Sequence, residues 1–192
     1  MAQLDQQIEF LSTMDRLKSV RRKALIKSDS NRYENSAEHS WHVALAAQTL
    51  QQYADNEVNI LRVTQMLLIH DIVEIEAGDT FAFAPAQELA QQAAKEAKAA
   101  QNLFGILPDE QQEYFLSLFN EFELATSADA QFAKAIDRIL PLIQNMNNNG
   151  GSWAVNNISR QQVIDRNSDL AQVSNSLWQY VLTQIDLATE KG

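Results

Sequence analysis

Apolar residues recur every three to four positions over most of this chain, which is the spacing of one face of an α-helix. The series Leu4, Ile8, Leu11 and Met14 is the first case and predicts a helix over residues 3–15. Similar patterns predict helices over residues 36–53, 58–75, 86–103, from 108 onward, 128–147 and from 159 to near the end. No alternating pattern predicts a β-strand, and only five glycines and three prolines interrupt the chain. The pattern therefore predicts an all-α helical bundle.

Polar residues and glycines predict where these helices begin and end. Ser36 and Ser159 are predicted N-caps, and Ser127 or Thr126 is predicted to cap the helix over 128–147, because short polar side chains accept hydrogen bonds from free helical N–H groups. Gly78 is predicted to end the third helix. Residues 27–31 predict a polar turn, and residues 145–152, rich in asparagine and glycine, predict a surface loop.

Length and composition predict an ordinary globular protein. With 192 residues, 45% hydrophobic and 21% charged, the chain fits one domain over residues 1–192. Because there is no cysteine, a disulfide framework and thiolate chemistry are excluded. There is no apolar run of about 18 residues, which a membrane span requires, and the start does not resemble a signal peptide. We therefore expect a cytoplasmic protein with no membrane partner.

Charge is unevenly distributed along the chain. The formal net charge of −10 argues against binding of polymeric nucleic acid, which depends on phosphate neutralisation. Six of the 15 basic residues nevertheless lie within twelve positions: Arg16, Lys18, Arg21, Arg22, Lys23 and Lys27. They form either a solvated helix face or a region that attracts a small anionic ligand.

The strongest chemical signal is a His70-Asp71 pair within an apolar helix. Both groups are costly to bury, and a metal ion is the simplest compensation. His39 and Asp137 lie on two other helices whose apolar faces must share the same core. Taken alone, His39 could pack or cap its helix and Asp137 could form an ion pair. Together, two imidazoles and two carboxylates suit one divalent Mn, Fe, Co, Ni or Zn ion, which could activate a water molecule.

The ordered series His … His-Asp … Asp resembles that of the HD-domain metal-dependent phosphohydrolases. The likeness extends to the segments around it. Glu38-His39-Ser40 resembles the family's first-histidine motif, and His70-Asp71-Ile72-Val73-Glu74 followed by Gly78-Asp79 resembles the signature of its 5′-deoxynucleotidase branch, the YfbR-like proteins. The segment 134–138 resembles the family's final aspartate helix, and the basic segment 16–22 resembles that branch's phosphate-binding region.

The resemblance implies a role for each motif residue. His39, His70, Asp71 and Asp137 would hold the metal. Glu74 would position the attacking water or move a proton. Alternatively, it would contact His39 or His70 as a partner that does not itself bind the metal. Asp79 would act near the phosphate or the leaving oxygen, or would be an ordinary turn residue. Arg22 would face the phosphate, with Arg21 as the alternative. His42, one turn beyond His39, is not part of the implied metal set.

The resemblance also implies an activity. We expect an HD-domain helical bundle that hydrolyses a small phosphomonoester, specifically a nucleoside (deoxy)5′-monophosphate. A nucleotide pyrophosphohydrolase or cyclic phosphodiesterase at the same site remains an alternative, as does a non-catalytic metal-stabilised module. Some relatives carry an aromatic residue shortly after the phosphate-facing arginine, whereas Lys23 follows here, so sugar and base preference stay open.

The resemblance further suggests a homodimer. Leu177, Trp178 and Tyr180 near the end of the chain could supply apolar contact surface. Trp153, next to the predicted loop, could cover the site, contribute to a dimer interface or simply pack.

Overall fold

The structure is a computed structural model that describes residues 2–189, with side chains described over residues 2–186. Helices dominate it, and a small two-stranded sheet lies near the start. The α-helices are α1 Gln3–Met14, α2 Ser36–Leu50, α3 Ile60–Ile69, α4 Glu74–Ala77, α5 Ala86–Phe104, α6 Asp109–Leu124, α7 Ala128–Met146, α8 Gly151–Val155, α9 Arg160–Asn167, α10 Leu170–Val173 and α11 Asn175–Thr189. The strands are β1 Arg21–Ile26 and β2 Arg32–Asn35. The prediction of a predominantly α-helical bundle is confirmed.

Helices α3 and α7 form the centre of the bundle. Met66 and Leu67 of α3 are completely buried, as are Phe132 and Ile136 of α7, and they belong to one hydrophobic core. This burial follows from the apolar periodicity of both helices. The packing of these two helices therefore fixes the position of Asp137, on α7, and of His70, directly after α3.

The third predicted helix does not run unbroken over residues 58–75. Helix α3 ends at Ile69, and a 3₁₀ turn over His70–Val73 leads into α4. In a 3₁₀ turn, side chains three positions apart lie above each other, so Asp71 and Glu74 face the same side. Gly78 ends this segment as predicted, with φ +75° and ψ 161°.

Residues 21–35, which include most of the basic segment, fold as a β-hairpin, so the prediction that the chain contains no strand was wrong. Strands β1 and β2 are antiparallel, and residues 27–31 form the predicted turn between them. The inward positions of the hairpin include Arg22 and Glu34, the latter only 2% exposed. Because charged residues occupy positions that are usually apolar, the alternation of a strand is hidden. Arg16 and Lys18 are exposed on a 3₁₀ helix, Asp15–Ser19, but Arg22 faces inward on a strand, so the interpretation of the whole segment as a solvated helix face was wrong.

The predicted N-cap of α2 was displaced by one residue. Asn35 caps the helix by accepting a hydrogen bond from the Glu38 backbone at 3.0 Å, and the Glu38 side chain binds the Asn35 backbone at 3.1 Å. This reciprocal pair is a capping box. Ser36 is the first helical residue and is completely buried. The predicted caps Ser127 and Ser159 are confirmed.

The end of the chain contains three helices where one was predicted. Helix α9 ends at Asn167, α10 is a single turn, and Ser174 accepts a hydrogen bond from the Leu177 backbone at the start of α11. Short polar residues thus favoured new caps over a continuous helix. Leu177 is only 6% exposed and packs within the core, so it is not available for a dimer surface.

The predicted loop over residues 145–152 is shorter than expected. Helix α7 extends through Met146 despite Pro141 within it, and α8 begins at Gly151. Asn145 links the two helices, because its side-chain oxygen accepts hydrogen bonds from the backbone and hydroxyl of Ser152 at 2.7 and 2.9 Å. No helix in the described part of the chain has the length and apolar character to cross a membrane.

Candidate metal centre and active site

Three predicted ligands converge from different elements. His39 lies on α2, His70 on the turn after α3, and Asp137 on α7, and one ligand atom from each lies within 4.8 Å of the others. His39 Nε2 is 2.8 Å from Asp137 Oδ1, and His70 Nε2 is 3.4 Å from the same oxygen. Two imidazole nitrogens and a carboxylate oxygen form a donor set suited to a divalent transition ion.

The environment of His70 fits metal ligation. Its Nδ1 lies 2.9 Å from the carbonyl oxygen of Leu67, so an Nδ1–H can donate there and leave the Nε2 lone pair free. Nε2 is buried and has no hydrogen-bond partner of suitable geometry. An unsatisfied buried nitrogen facing carboxylates is costly unless another group compensates it, and a cation between these groups would do so. The residues present therefore fit a divalent metal ion.

Asp71, the fourth predicted ligand, lies beside this trio. Its Oδ1 is 3.0 Å from His70 Nε2, and its Oδ2 accepts a hydrogen bond from Arg22. Burial alone would raise the pKa of Asp71, but the charge of Arg22, followed by the interaction with His70, lowers the pKa to about 2. Asp71 is therefore a buried, ionised carboxylate next to the metal-binding atoms.

Glu74 lies on the same side as Asp71 and is also buried. The Ser36 hydroxyl donates a hydrogen bond to Glu74, and Arg22 Nη1 is 3.6 Å from its other carboxylate oxygen. Burial, followed by the charge of Asp71, raises the pKa of Glu74 to about 9. A cation nearby would favour the ionised form, because positive charge stabilises a carboxylate.

Asp79 follows Gly78 and lines the same cavity as the metal-binding residues. One of its carboxylate oxygens is buried without a hydrogen-bond partner. Burial raises the pKa of Asp79, opposed by the charge of Arg22. Asp79 is therefore part of the cavity wall and carries a buried carboxylate oxygen without a hydrogen-bond partner.

Arg22 lies inside the site, whereas Arg21 does not. The Arg22 side chain binds Asp71 and approaches Glu74, and its Nε is 3.8 Å from Glu34 Oε2. Burial would lower the pKa of Arg22, but the charges of Asp71 and Glu74 raise it, so the guanidinium stays charged. Arg21 is exposed and donates to the carbonyl of Tyr33 at 3.3 Å. The geometry therefore favours Arg22 over Arg21 as the arginine that meets a ligand.

Glu34 belongs to the site although the sequence did not indicate it. Its Oε2 is 3.3 Å from His39 Nδ1, and the Gln144 side chain donates to its Oε1 at 2.9 Å. A carboxylate behind a histidine orients the ring and directs the other nitrogen to the metal. Sequence analysis proposed Glu74 as a support for His39 or His70, but Glu34 is the carboxylate against His39. Glu34 could have been found from the sequence only if the hairpin had been predicted, because a hairpin places Glu34 on the inward side next to Arg22.

Three of the predicted ligands, His70, Asp71 and Asp137, line a cavity of about 350 Å³. This volume lies within the range of small-molecule sites. Further basic and aromatic side chains on its wall are Phe83, Phe122, Lys134, Arg138, Trp153 and Arg166. Trp153 thus contributes to the cavity wall. His42 lies outside it and stacks on Trp41 with ring centroids 5.6 Å apart, which agrees with its omission from the metal set.

Comparison with known proteins places this site in a family context. The HD domain family model matches residues 14–178. The chain is similar to a predicted metal-dependent phosphohydrolase from Magnetospirillum magnetotacticum MS-1, whose crystal structure is known. The two sequences are 42% identical, the match covers 100% of this chain and 95% of that chain, and the structures superpose with a TM-score of 0.93.

Two curated relatives are named 5′-deoxynucleotidases. The human protein HDDC2 is 27% identical over 71% of this chain and 65% of its own length, just under two thirds. YfbR of Escherichia coli is 32% identical over 60% of each chain. The family model covers most of the sequence. The described residues of this chain adopt the fold of the Magnetospirillum protein. The chain therefore belongs to the HD domain family.

Proposed function

We propose that this protein is a metal-dependent phosphohydrolase that releases phosphate from nucleoside (deoxy)5′-monophosphates. The observation that carries the proposal is the cluster of His39, His70 and Asp137, beside a cavity that His70, Asp137 and Arg22 line. The names of the curated relatives support the nucleotide substrate. The 350 Å³ cavity is large enough for a small phosphorylated molecule.

In this proposal His39, His70, Asp71 and Asp137 hold one divalent ion. When bound, such an ion supplies positive charge for the phosphate and activates water for attack. Glu34 and the Leu67 carbonyl keep the two imidazole rings in orientation from behind.

The chain's other polar groups complete the reaction. Glu74, which contacts Ser36 and Arg22, accepts a proton from the attacking water as the water oxygen bonds to phosphorus. The bond between phosphorus and the ester oxygen breaks, and Asp79 donates a proton to the departing sugar oxygen. Arg22 contacts the phosphate oxygens and offsets the charge that develops on them.

Phosphate release by the purified protein tests this function. With manganese or cobalt added, we expect release from nucleoside or deoxynucleoside 5′-monophosphates. His39→Gln removes a proposed ligand and should lower both metal content and rate at least about 100-fold. His42→Gln is the matched control, because it makes the same change one turn away and outside the cavity. Glu74→Gln should retain the metal and lose rate.

The alternatives give different products in the same assay. Absence of phosphate release from every nucleoside monophosphate would contradict the proposal. Release of pyrophosphate from triphosphates, or opening of cyclic nucleotides, would instead identify one of the other activities. A metal-loaded protein that processes none of these substrates would be a binding module.

We also propose that the protein forms a homodimer through an apolar surface near its start. Leu4, Ile8 and Leu11 of α1 are 65%, 54% and 64% exposed and share one helix face. Contiguous exposed apolar surface is a common feature of protein interfaces. Light scattering after size exclusion should give twice the 21.6 kDa chain mass, and Ile8→Glu should give the monomer mass. A monomeric mass for the unmodified protein would contradict this proposal.

The cellular location proposed is the cytoplasm, where nucleoside monophosphates are formed and consumed. Cell fractionation with an antibody against the untagged protein tests it. Recovery with cytosolic marker enzymes is expected, and recovery with membranes or secreted proteins would contradict it.

A further inference from the structure

Four basic side chains among the described residues line the cavity, and three of them have acidic partners. Arg22 binds Asp71. The Lys134 ammonium is 3.3 Å from Glu123, and Arg138 is 3.2 Å from Asp169. The fourth is Arg166, for which no carboxylate of the described residues lies within 4.0 Å and no side-chain hydrogen bond forms. Its guanidinium therefore presents free donors to the cavity.

The surroundings of Arg166 leave this charge uncompensated. The guanidinium lies 5.7 Å from the centroid of the Phe83 ring, within the range of a cation–π contact. Burial and the neighbouring charge of Arg138 lower the pKa of Arg166, and only Asp137 opposes them. A half-buried cation beside another cation is unfavourable unless an anion compensates it. Arg166 and the predicted ligand Asp137 line the same cavity, and the charge of Asp137 raises the pKa of Arg166.

We propose that Arg166 binds the phosphate group of the substrate, as a second phosphate contact in addition to Arg22. The inference rests on the proposed function, because it assumes a phosphorylated ligand at the metal site. A guanidinium presents planar pairs of N–H donors that match two phosphate oxygens. The Phe83 ring lies against one side of the guanidinium and restricts its conformations. Arg166 therefore loses less conformational freedom when it binds a phosphate.

The two arginines differ in how much binding capacity they retain. Arg22 already binds Asp71 and lies close to Glu74 and Glu34, so its charge is shared among three carboxylates. Arg166 has no carboxylate partner among the described residues. A phosphate anion supplies both the negative charge and the acceptor oxygens that this side chain lacks, whereas an uncharged nucleobase supplies acceptors but no negative charge. The electrostatics therefore favour the phosphate over the base as its partner.

Calorimetric binding of inorganic phosphate to the manganese-loaded protein tests the inference without turnover. Arg166→Gln should weaken phosphate binding about 10- to 100-fold, the range expected for hydrogen bonds to a charged group. Arg166→Lys should lose less, because it keeps the charge but not the fork of donors. Arg160→Gln is the matched control, since it makes the same change on α9 at an exposed position bound to Asp186. We expect it to bind phosphate like the unmodified protein.

Kinetics on several nucleotides separate phosphate binding from base recognition. Arg166→Gln should reduce kcat/KM by a similar factor for every base and leave the metal content unchanged. Unchanged phosphate affinity in a folded Arg166→Gln protein, checked by its circular dichroism spectrum, would overturn the inference. A loss confined to one base would also overturn it and identify a base contact. If the unmodified protein binds phosphate but hydrolyses no nucleotide, the proposed function fails while the calorimetric comparison still decides the role of Arg166.

Discussion

At the scale of single residues, Glu34 connects the two sides of the site. Its carboxylate lies 3.3 Å from His39 Nδ1 and 3.8 Å from Arg22 Nε, and the Gln144 side chain binds its other oxygen. Only 2% of Glu34 is exposed, so this charge is maintained by its three neighbours. One buried carboxylate thus contacts both a proposed metal ligand and the arginine proposed to bind phosphate.

Glu34→Gln is expected to weaken metal binding about 10- to 100-fold, the usual effect of losing a carboxylate behind a histidine ligand. The amide has nearly the same shape but no negative charge to hold the His39 ring. Titration with a metal-binding dye measures the affinity. Glu38→Gln is the control, because Glu38 is partly exposed and pairs with Arg32 away from the metal. Equal metal affinity in the two variants would show that Glu34 has no such role.

The sequence could indicate the candidate metal-binding residues because they are unusual in their setting. His70 and Asp71 interrupt an apolar helix, and the motifs around His39 and Asp137 resemble those of the family. Glu34 and Arg166 lack such a signal, because each is an ordinary charged residue until tertiary structure buries it beside a partner or leaves it without one. The position of Arg22 inside the cavity likewise depends on the hairpin.

At the scale of elements, the 3₁₀ turn over His70–Val73 and the glycine after α4 direct the acidic residues inward. Gly78 has φ +75° and ψ 161°, a backbone conformation open essentially only to glycine. A Cβ at this position would meet no atom within 4 Å, so any cost of a side chain is backbone strain alone. This conformation sets the direction in which Asp79 leaves the helix.

Gly78→Ala should therefore lower the free energy of unfolding by about 1–3 kcal/mol. Urea denaturation followed by circular dichroism measures the change. We also expect a reduced rate of phosphate release, because relief of the strain would displace Asp79 from the cavity. An unchanged free energy of unfolding would mean that residue 78 adopts an ordinary backbone conformation in solution.

Apolar periodicity predicted the long helices but not their interruptions. Helices α1, α5 and α7 match the expected bounds closely, since their apolar residues recur without conflict. The hairpin was missed because Arg22 and Glu34 replace apolar residues on its inward side. The breaks at His70 and Ser174 were missed because helical periodicity continues across both.

At the scale of the whole molecule, one hydrophobic core receives residues from nearly the full length of the described chain, from Phe10 to Ile185. The candidate metal site lies where α2, the 3₁₀ turn after α3, and α7 meet, so its geometry depends on the packing of distant segments. We propose that residues 1–192 form one domain.

Thermal unfolding should then proceed in one cooperative transition, with the same midpoint by circular dichroism and by tryptophan fluorescence. Manganese should raise this midpoint, because a ligand that binds only the folded state adds about 2.7 kcal/mol at 100 times its Kd. His39→Gln should remove the manganese effect, whereas His42→Gln should keep it. Two separate transitions would contradict the single-domain proposal.

Anomalous diffraction from crystals grown with manganese tests the central claim most directly. The account predicts one strong anomalous peak within coordination distance of His39 Nε2, His70 Nε2 and carboxylate oxygens of Asp71 and Asp137. A peak held by other residues, or no peak at these four residues with manganese in excess, would contradict it.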